Sequence, residues 1–186
     1  MAADPPQNSG QEAGGGSGVR LFAALPLSTE VKNALLESIT GLKKQGQGNF
    51  SRPENLHLTL AFVGETERID AAVEALSKLD AACFELCLSG SGCFDHLLWA
   101  GIAHNPALES LAAQTQMLLR EAGFVLEERE FIPHITLVRN YTPFDGETQQ
   151  FAPAEICMTV THLSLMRSEQ IGGKLTYTEV FGKELT

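Results

Sequence analysis

The sequence predicts a mixed α and β protein with substantial antiparallel pairing. Segments with an apolar stripe of helical period alternate with short aliphatic runs of strand length, and several of these runs return through Gly-containing turns. A chain of 186 residues suits one domain, with room for two related halves, and can close a core without staples.

The elements follow in order. Val19–Leu25 reads as an apolar strand that stops at Pro26. Ser28 or Thr29 can cap a helix with Glu30 in its first turn and Val31, Leu35, Ile39 and Leu42 on one stripe; Lys43, Lys44 and Gly46 mark its end. After a polar linker, Leu56–Val63 reads as a strand. Thr66 is expected to cap a second helix that buries Ile69, Ala72, Val73, Leu76 and Leu79. Phe84, Leu86 and Leu88 alternate as a strand does. A Ser-Gly-Ser-Gly turn and a strand near Leu97–Ala103 come next. Asn105-Pro106 opens a third helix with the stripe Leu108, Leu111, Thr115, Leu118 and Ala122, and Gly123 stops it. Strands are then expected from Phe124, at Ile135–Val138, at Ile156–Met166 and at Lys174–Phe181. A polar loop runs through Pro143–Gly146, and Gly172-Gly173 joins the last two strands.

Residues 1–18 hold no large apolar side chain except Met1, and too little surface can be buried there to offset ordering entropy. They read as a flexible tail, with residues 19–186 as the folded domain. A formal charge of −10 argues against bulk electrostatic coating of nucleic acid, which relies on a basic face, but leaves room for one phosphate in a local pocket. No uncharged apolar run reaches the roughly 18–20 residues of a membrane span. The N-terminal residues lack the basic start and apolar stretch of a secretory signal, so a cytoplasmic location and reduced thiols at Cys83, Cys87, Cys93 and Cys157 are expected.

Two strands carry the same triplet: His57-Leu58-Thr59-Leu60 and His134-Ile135-Thr136-Leu137. Strand alternation puts His and Thr on one face and the aliphatic residues on the other. The copies lie near corresponding points of the two halves, so a duplicated fold would gather two imidazoles and two hydroxyls around one cavity. Composition alone yields roughly 0.2 such triplets in a chain this long. Two imidazoles suit acid–base chemistry at phosphorus, one neutral and accepting a proton while the other donates. The hydroxyls can hydrogen-bond the non-bridging oxygens, and no metal is required. His162-Leu163-Ser164-Leu165 is a looser third match, with His162 assigned to a polar sheet face.

Arg52-Pro53-Glu54-Asn55-Leu56-His57-Leu58-Thr59-Leu60 with Phe62-Val63-Gly64-Glu65, and Phe131-Ile132-Pro133-His134-Ile135-Thr136-Leu137 with Arg139, resemble the paired motifs of the 2H phosphoesterases. Leu165–Glu169 and Gly172-Gly173 with Tyr177 resemble the C-terminal segment of one branch, the LigT-like RNA 2′,3′-cyclic phosphodiesterases, once called bacterial 2′-5′ RNA ligases. The resemblance implies a two-lobed α+β fold of antiparallel sheets with outer helices, a pseudo-twofold duplication and a central cleft. It implies hydrolysis of a terminal 2′,3′-cyclic phosphate, on RNA ends or small nucleotides, to a 2′-phosphomonoester, with reversible 2′-5′ ligation as a related activity. By position His57 is the proton donor and His134 the proton acceptor, and Thr59, Thr136 and Arg139 contact the phosphate. No metal or other cofactor, no membrane and no obligate protein partner is implied, and a monomer is expected. Arg139 lies five positions after His134, an odd offset that a regular strand turns to the opposite face, so its participation requires the strand to end or twist near Val138. The equivalent position after His57 is Phe62, which makes the cleft electrically lopsided.

Two other readings remain at this point. One is a non-catalytic nucleotide or phosphate binder on the same fold. The other is a zinc module built on Cys83, Cys87, Cys93 and His96, although their spacing lacks the usual Cys-x2-Cys knuckles.

Overall fold

The computed structural model describes residues 18–146 and 151–186. The expected tail therefore lies, apart from Gly18, outside the described residues. Nine strands and three helices alternate among the described residues: β1 (Val19–Pro26), α1 (Thr29–Gln45), β2 (Gly46–Phe50), β3 (His57–Thr66), α2 (Ile69–Ser77), β4 (Phe84–Phe94), β5 (Leu97–Ile102), α3 (Pro106–Glu121), β6 (His134–Pro143), β7 (Cys157–Val160), β8 (His162–Ile171) and β9 (Lys174–Glu184).

The helices form for the reasons their sequences state. The Ser28 hydroxyl accepts from the Val31 amide at 3.3 Å and caps α1, which buries Val31, Leu35, Ile39 and Leu42. Fully burying such a side chain contributes about 1.5–3 kcal/mol. The Asn105 side chain accepts from the amides of Ala107 and Leu108, and Pro106 fills the first position of α3. Thr66 does not cap α2. Its hydroxyl accepts from the Arg68 amide in the turn ahead of the helix, and Arg68 itself holds the cap position without a capping side chain.

The strands form two antiparallel sheets, one in the order β3-β1-β8-β9 and one in the order β2-β6-β5-β4-β7. The lobes are not sequential halves. β8 and β9, from the end of the chain, complete the sheet that β1 begins, while β2 leaves that neighbourhood to pair with β6. The helices cross over in the same way. α1 follows β1 but packs on β2 and β6, and α3 follows β5 but packs on β3 and α2. This exchange ties the lobes together and sets β3 against β6.

Four expectations are corrected. The linker Gly46–Phe50 is a strand, because pairing with β6 supplies an order that its polar, Gly-rich sequence does not advertise. The Ser89–Gly92 stretch continues β4 through a register shift at Gly90 (φ +69°), and the chain turns instead at Asp95. Residues 124–133 are irregular although Phe124 and Leu126 are buried. The expected strand Ile156–Met166 breaks at Thr161 into β7 and β8, which join different sheets.

The reduced-thiol expectation is also overturned. Cys87 on β4 and Cys157 on β7 face one another in register and form a disulfide across 70 residues of sequence. Cys83 and Cys93 keep their thiols. The zinc reading loses its ligands for the same reason. Cys87 is bonded to Cys157, the Cys83 thiol donates to the Leu185 carbonyl, and among the described residues Cys83, Cys87, Cys93 and His96 form no ligand cluster.

Candidate active site

Both histidines stand at the first position of their strands, His57 on β3 and His134 on β6. The two share one kind of backbone contact. His57 Nδ1 lies 2.7 Å from the Asn55 carbonyl oxygen, and His134 Nδ1 lies 2.7 Å from that of Ile132. A carbonyl can only accept, so Nδ1 carries the proton in each ring. Nε2 is then the nitrogen that gains or loses a proton. Thr59 sits two residues on, with its Oγ1 3.1 Å from His57 Nε2. The backbone reason is simple: strand alternation turns Leu58 and Leu60 or Ile135 and Leu137 into the core, all of them 2% exposed or less.

Arg139 and Phe62 reach the same face through a matched pair of bulges. Thr59 pairs with Ala24 but Ala61 pairs with Ala23, leaving Leu60 as an extra residue; Thr136 pairs with Trp99 but Val138 with Leu98, leaving Leu137 extra. Each bulge lets two successive residues, Leu60 and Ala61 or Leu137 and Val138, point inward. The next position then returns to the side of His and Thr. An odd offset thus serves the site without the strand ending, and β6 runs on to Pro143. One lobe places a guanidinium there and the other a phenyl ring.

Each imidazole also sits in an aromatic setting. Phe22 and Tyr177 lie 4.9 and 5.1 Å from the His57 ring, and Phe94 and Trp99 lie 5.2 and 6.0 Å from the His134 ring. Trp99 achieves this by lying over β4 at Gly92, where an added Cβ would come within 2.1 Å of the indole. Only a glycine leaves that space.

The surroundings of both rings disfavour the charged form. Burial pushes His57 down to about 4. The bond to Asn55 works against this, while the charges of Arg139 and His134 reinforce it. His134 is lowered as well, by burial first and then by the charges of Arg129 and Arg139, with its bond to Ile132 opposing them. Arg139 therefore acts on both imidazoles, and His134 acts on His57. An anion placed among them would relieve every one of these repulsions.

The segment between β2 and β3 binds the two motifs to each other. The Ser51 amide and hydroxyl donate to the carbonyls of Leu137 and Thr136, at 2.8 and 2.7 Å. The chain then passes through a 3₁₀ turn, Pro53–Asn55, directly into His57. Sequence reasoning missed Phe22, Asn55, Trp99 and Arg129. Asn55 and Arg129 lie close to the motifs, but nothing in their spacing marks them; Phe22 and Trp99 arrive through strand pairing alone. Arg129 crosses to the other lobe, with its guanidinium 5.8 Å from the Phe62 ring centroid.

His162 is not part of this group. Glu184 takes its Nδ1 at 3.0 Å and Glu179 its Nε2 at 2.9 Å. Burial opposes its charge, yet the two carboxylates outweigh burial and hold its pKa above the ordinary value. With both nitrogens occupied it is a strand-to-strand tie. Tyr141 is buried and donates to the Leu42 carbonyl at 3.2 Å, so it offers no face to a base.

A family model described as the 2′-5′ RNA ligase superfamily matches residues 29–172. The RNA 2′,3′-cyclic phosphodiesterase of Geobacillus stearothermophilus is 31% identical over 152 residues, which are 72% of this chain and 46% of that protein. The chain thus spans about half the length of that relative. The protein of the same name from Thermotoga maritima is 32% identical over 155 residues, 75% of this chain and 82% of its own. The crystal structure of E. coli LigT in apo form superposes with a TM-score of 0.81 at 26% identity, covering 91% of this chain and 98% of that one. The crystal structure of TT0787 of Thermus thermophilus gives 0.78 at 26% identity, covering 89% and 97%. No helix among the described residues is long and apolar enough to cross a membrane. The paired motifs, the exchanged lobes and these matches agree: the chain belongs to the 2′-5′ RNA ligase superfamily, on a LigT-like two-lobed α+β fold.

Proposed function

We propose that the chain is an RNA 2′,3′-cyclic phosphodiesterase that opens a terminal cyclic phosphate to a 2′-phosphomonoester. The observation that carries the reading is the mirrored pair of imidazoles, each with Nδ1 held by the carbonyl two residues earlier and Nε2 left for proton transfer. The activity for which the relatives are named supplies the substrate class.

In this mechanism His134 accepts a proton from water as the water oxygen attacks phosphorus opposite O3′. Charge builds on the non-bridging oxygens of the five-coordinate phosphorus, where Thr59, Thr136 and Arg139 stabilise it. The P–O3′ bond then breaks and His57 donates its proton to the departing O3′. With a 5′-hydroxyl end in place of water, the same two groups form a 2′-5′ phosphodiester as the P–O3′ bond breaks, and the reverse attack of O3′ cleaves it. Residues 19–186 would act as one catalytic domain and as a monomer, on RNA ends or small nucleotides.

The test is an oligonucleotide ending in 2′,3′-cyclic phosphate, with the product's phosphate position assigned by ³¹P NMR. The expected product is the 2′-phosphate, formed at an unchanged rate in EDTA. A 3′-phosphate, or activity that EDTA removes and a divalent cation restores, would overturn the mechanism.

A donor at about 4 is almost wholly neutral at pH 7, roughly one part in a thousand protonated, so His57 must take up a proton from solvent as the substrate binds. The phosphate anion offsets the charges of Arg139 and His134 and raises His57 in the complex. The basic limb of kcat should therefore lie at higher pH than that of kcat/KM, which reports the free enzyme. Arg139→Ala should raise the free-enzyme limb, because a repelling charge is gone, while weakening phosphate binding roughly 10- to 100-fold. If neither limb nor affinity changes in that variant, Arg139 does not face the phosphate.

A further inference from the structure

The substrate phosphate has, on the reading above, donors from β3 and β6 only. The four-stranded sheet brings a third strand to it. The Arg52 guanidinium and the Asn55 side-chain amide, the latter at 3.0 Å, both donate to the Leu175 carbonyl. These bonds draw the start of β9 back on to the segment that leads into His57, in keeping with the half-barrel curl of the sheet. Tyr177 comes with it. Its ring stands edge-on to His57 at 5.1 Å and to Phe22 at 4.9 Å. Strand register places it opposite Ser168 on β8, and Ser168 opposite Arg20 on β1, so all three share the inner face.

Tyr177 is a half-buried residue whose hydroxyl has, among the described residues, no hydrogen-bond partner, whereas that of Tyr141 has the Leu42 carbonyl. Burial holds the Tyr177 pKa above the ordinary phenol value, against the opposing charges of Arg139, Arg20 and Arg52. Arg20 and Arg52 are paired with Glu65 and Glu54. Arg139 also acts on His57 and His134, so one guanidinium is shared by the Tyr177 hydroxyl and both imidazoles. An O–H donor without a protein acceptor, set beside His57 and among cations, is matched by an anionic oxygen.

We infer that the Tyr177 hydroxyl donates to a non-bridging oxygen of the phosphate held between His57 and His134. The inference rests on the proposed phosphodiesterase reading for the identity of the anion.

Tyr177→Phe keeps the ring against His57 and removes only the hydroxyl. Titration of inorganic phosphate and of adenosine 2′-monophosphate, followed by calorimetry, should show affinity roughly 10- to 100-fold weaker than wild type. kcat/KM on cyclic-phosphate RNA should fall by a similar factor, with the melting temperature unchanged. A role in packing alone predicts wild-type affinity in this variant, and that result would overturn the inference. Should the variant melt early, 3-fluorotyrosine at position 177 decides. Its ¹⁹F resonance is expected to move on phosphate addition, and a resonance that stays fixed through saturation overturns the contact. Failure of the wider reading looks different: wild-type protein would leave cyclic phosphate unopened, while the phosphate titrations would still report the hydroxyl.

Discussion

His57→Ala and His134→Ala each lower kcat for cyclic-phosphate opening by about 10²–10⁴-fold, the usual contribution of one positioned acid or base. The two losses are distinguishable. A substrate with sulfur in place of O3′ has a leaving group that needs no proton. On it the His57 variant should recover most of its deficit and the His134 variant should not. If both recover or neither does, the acid and base assignments are wrong. Folding is controlled with glutamine variants, which keep most of the ring volume inside the cage of Phe22 and Tyr177 on one side and of Phe94 and Trp99 on the other. Glutamine can still donate to the Asn55 or Ile132 carbonyl but cannot shuttle a proton. A double variant that keeps wild-type turnover would remove both imidazoles from the mechanism.

The second large effect is on stability. The bond between Cys87 and Cys157 closes a loop with a sequence separation of 70, containing β5, α3 and β6. The second motif, with His134, Thr136 and Arg139, therefore lies wholly inside it. By the chain-entropy relation such a closure restrains the unfolded state by about 4 kcal/mol at 25 °C. Replacing both cysteines by serine, or adding a dithiol reductant, should lower the unfolding free energy by up to that amount, or about 10 °C in melting temperature for a chain of this size. Denaturant unfolding with and without reductant measures it. Alkylation of unfolded, unreduced protein should label two thiols, those of Cys83 and Cys93. Four labelled thiols and an unchanged midpoint would mean that the bond does not form in solution.

Much of the fold was legible because it is local. The caps at Ser28 and Asn105, the stripe of α1 and the alternation through His57–Leu60 and His134–Leu137 are settled by residues within a few positions of each other. The same holds for the candidate site. A His-x-Thr triplet in a strand needs only period-two geometry to present an imidazole and a hydroxyl together, and its repetition pointed to a shared cavity.

What escaped is whatever depends on a partner distant in sequence. Gly46–Phe50 has no strand signal of its own and is ordered by β6. The Cys87–Cys157 bond needs β4 and β7 in register, which spacing along the chain cannot reveal. Reduced thiols were expected from the N-terminal residues, and those carry no information about that register. Arg139 shows the division most clearly. Its offset from His134 argued for the wrong face, and a bulge at Leu137, set by pairing with β5, reverses it.

By itself, then, the sequence determined the three helices, the strands that carry the motifs, the two reactive triplets and the family, since these rest on short-range sterics, on alternation and on motif identity. The tertiary structure alone decided the exchange of strands and helices between lobes, the aromatic cages, the depressed histidine pKa values and the arrival of Tyr177 from β9. Each of these depends on groups brought together by sheet register and curl, and burial and charge–charge distance exist only once the chain has closed on itself.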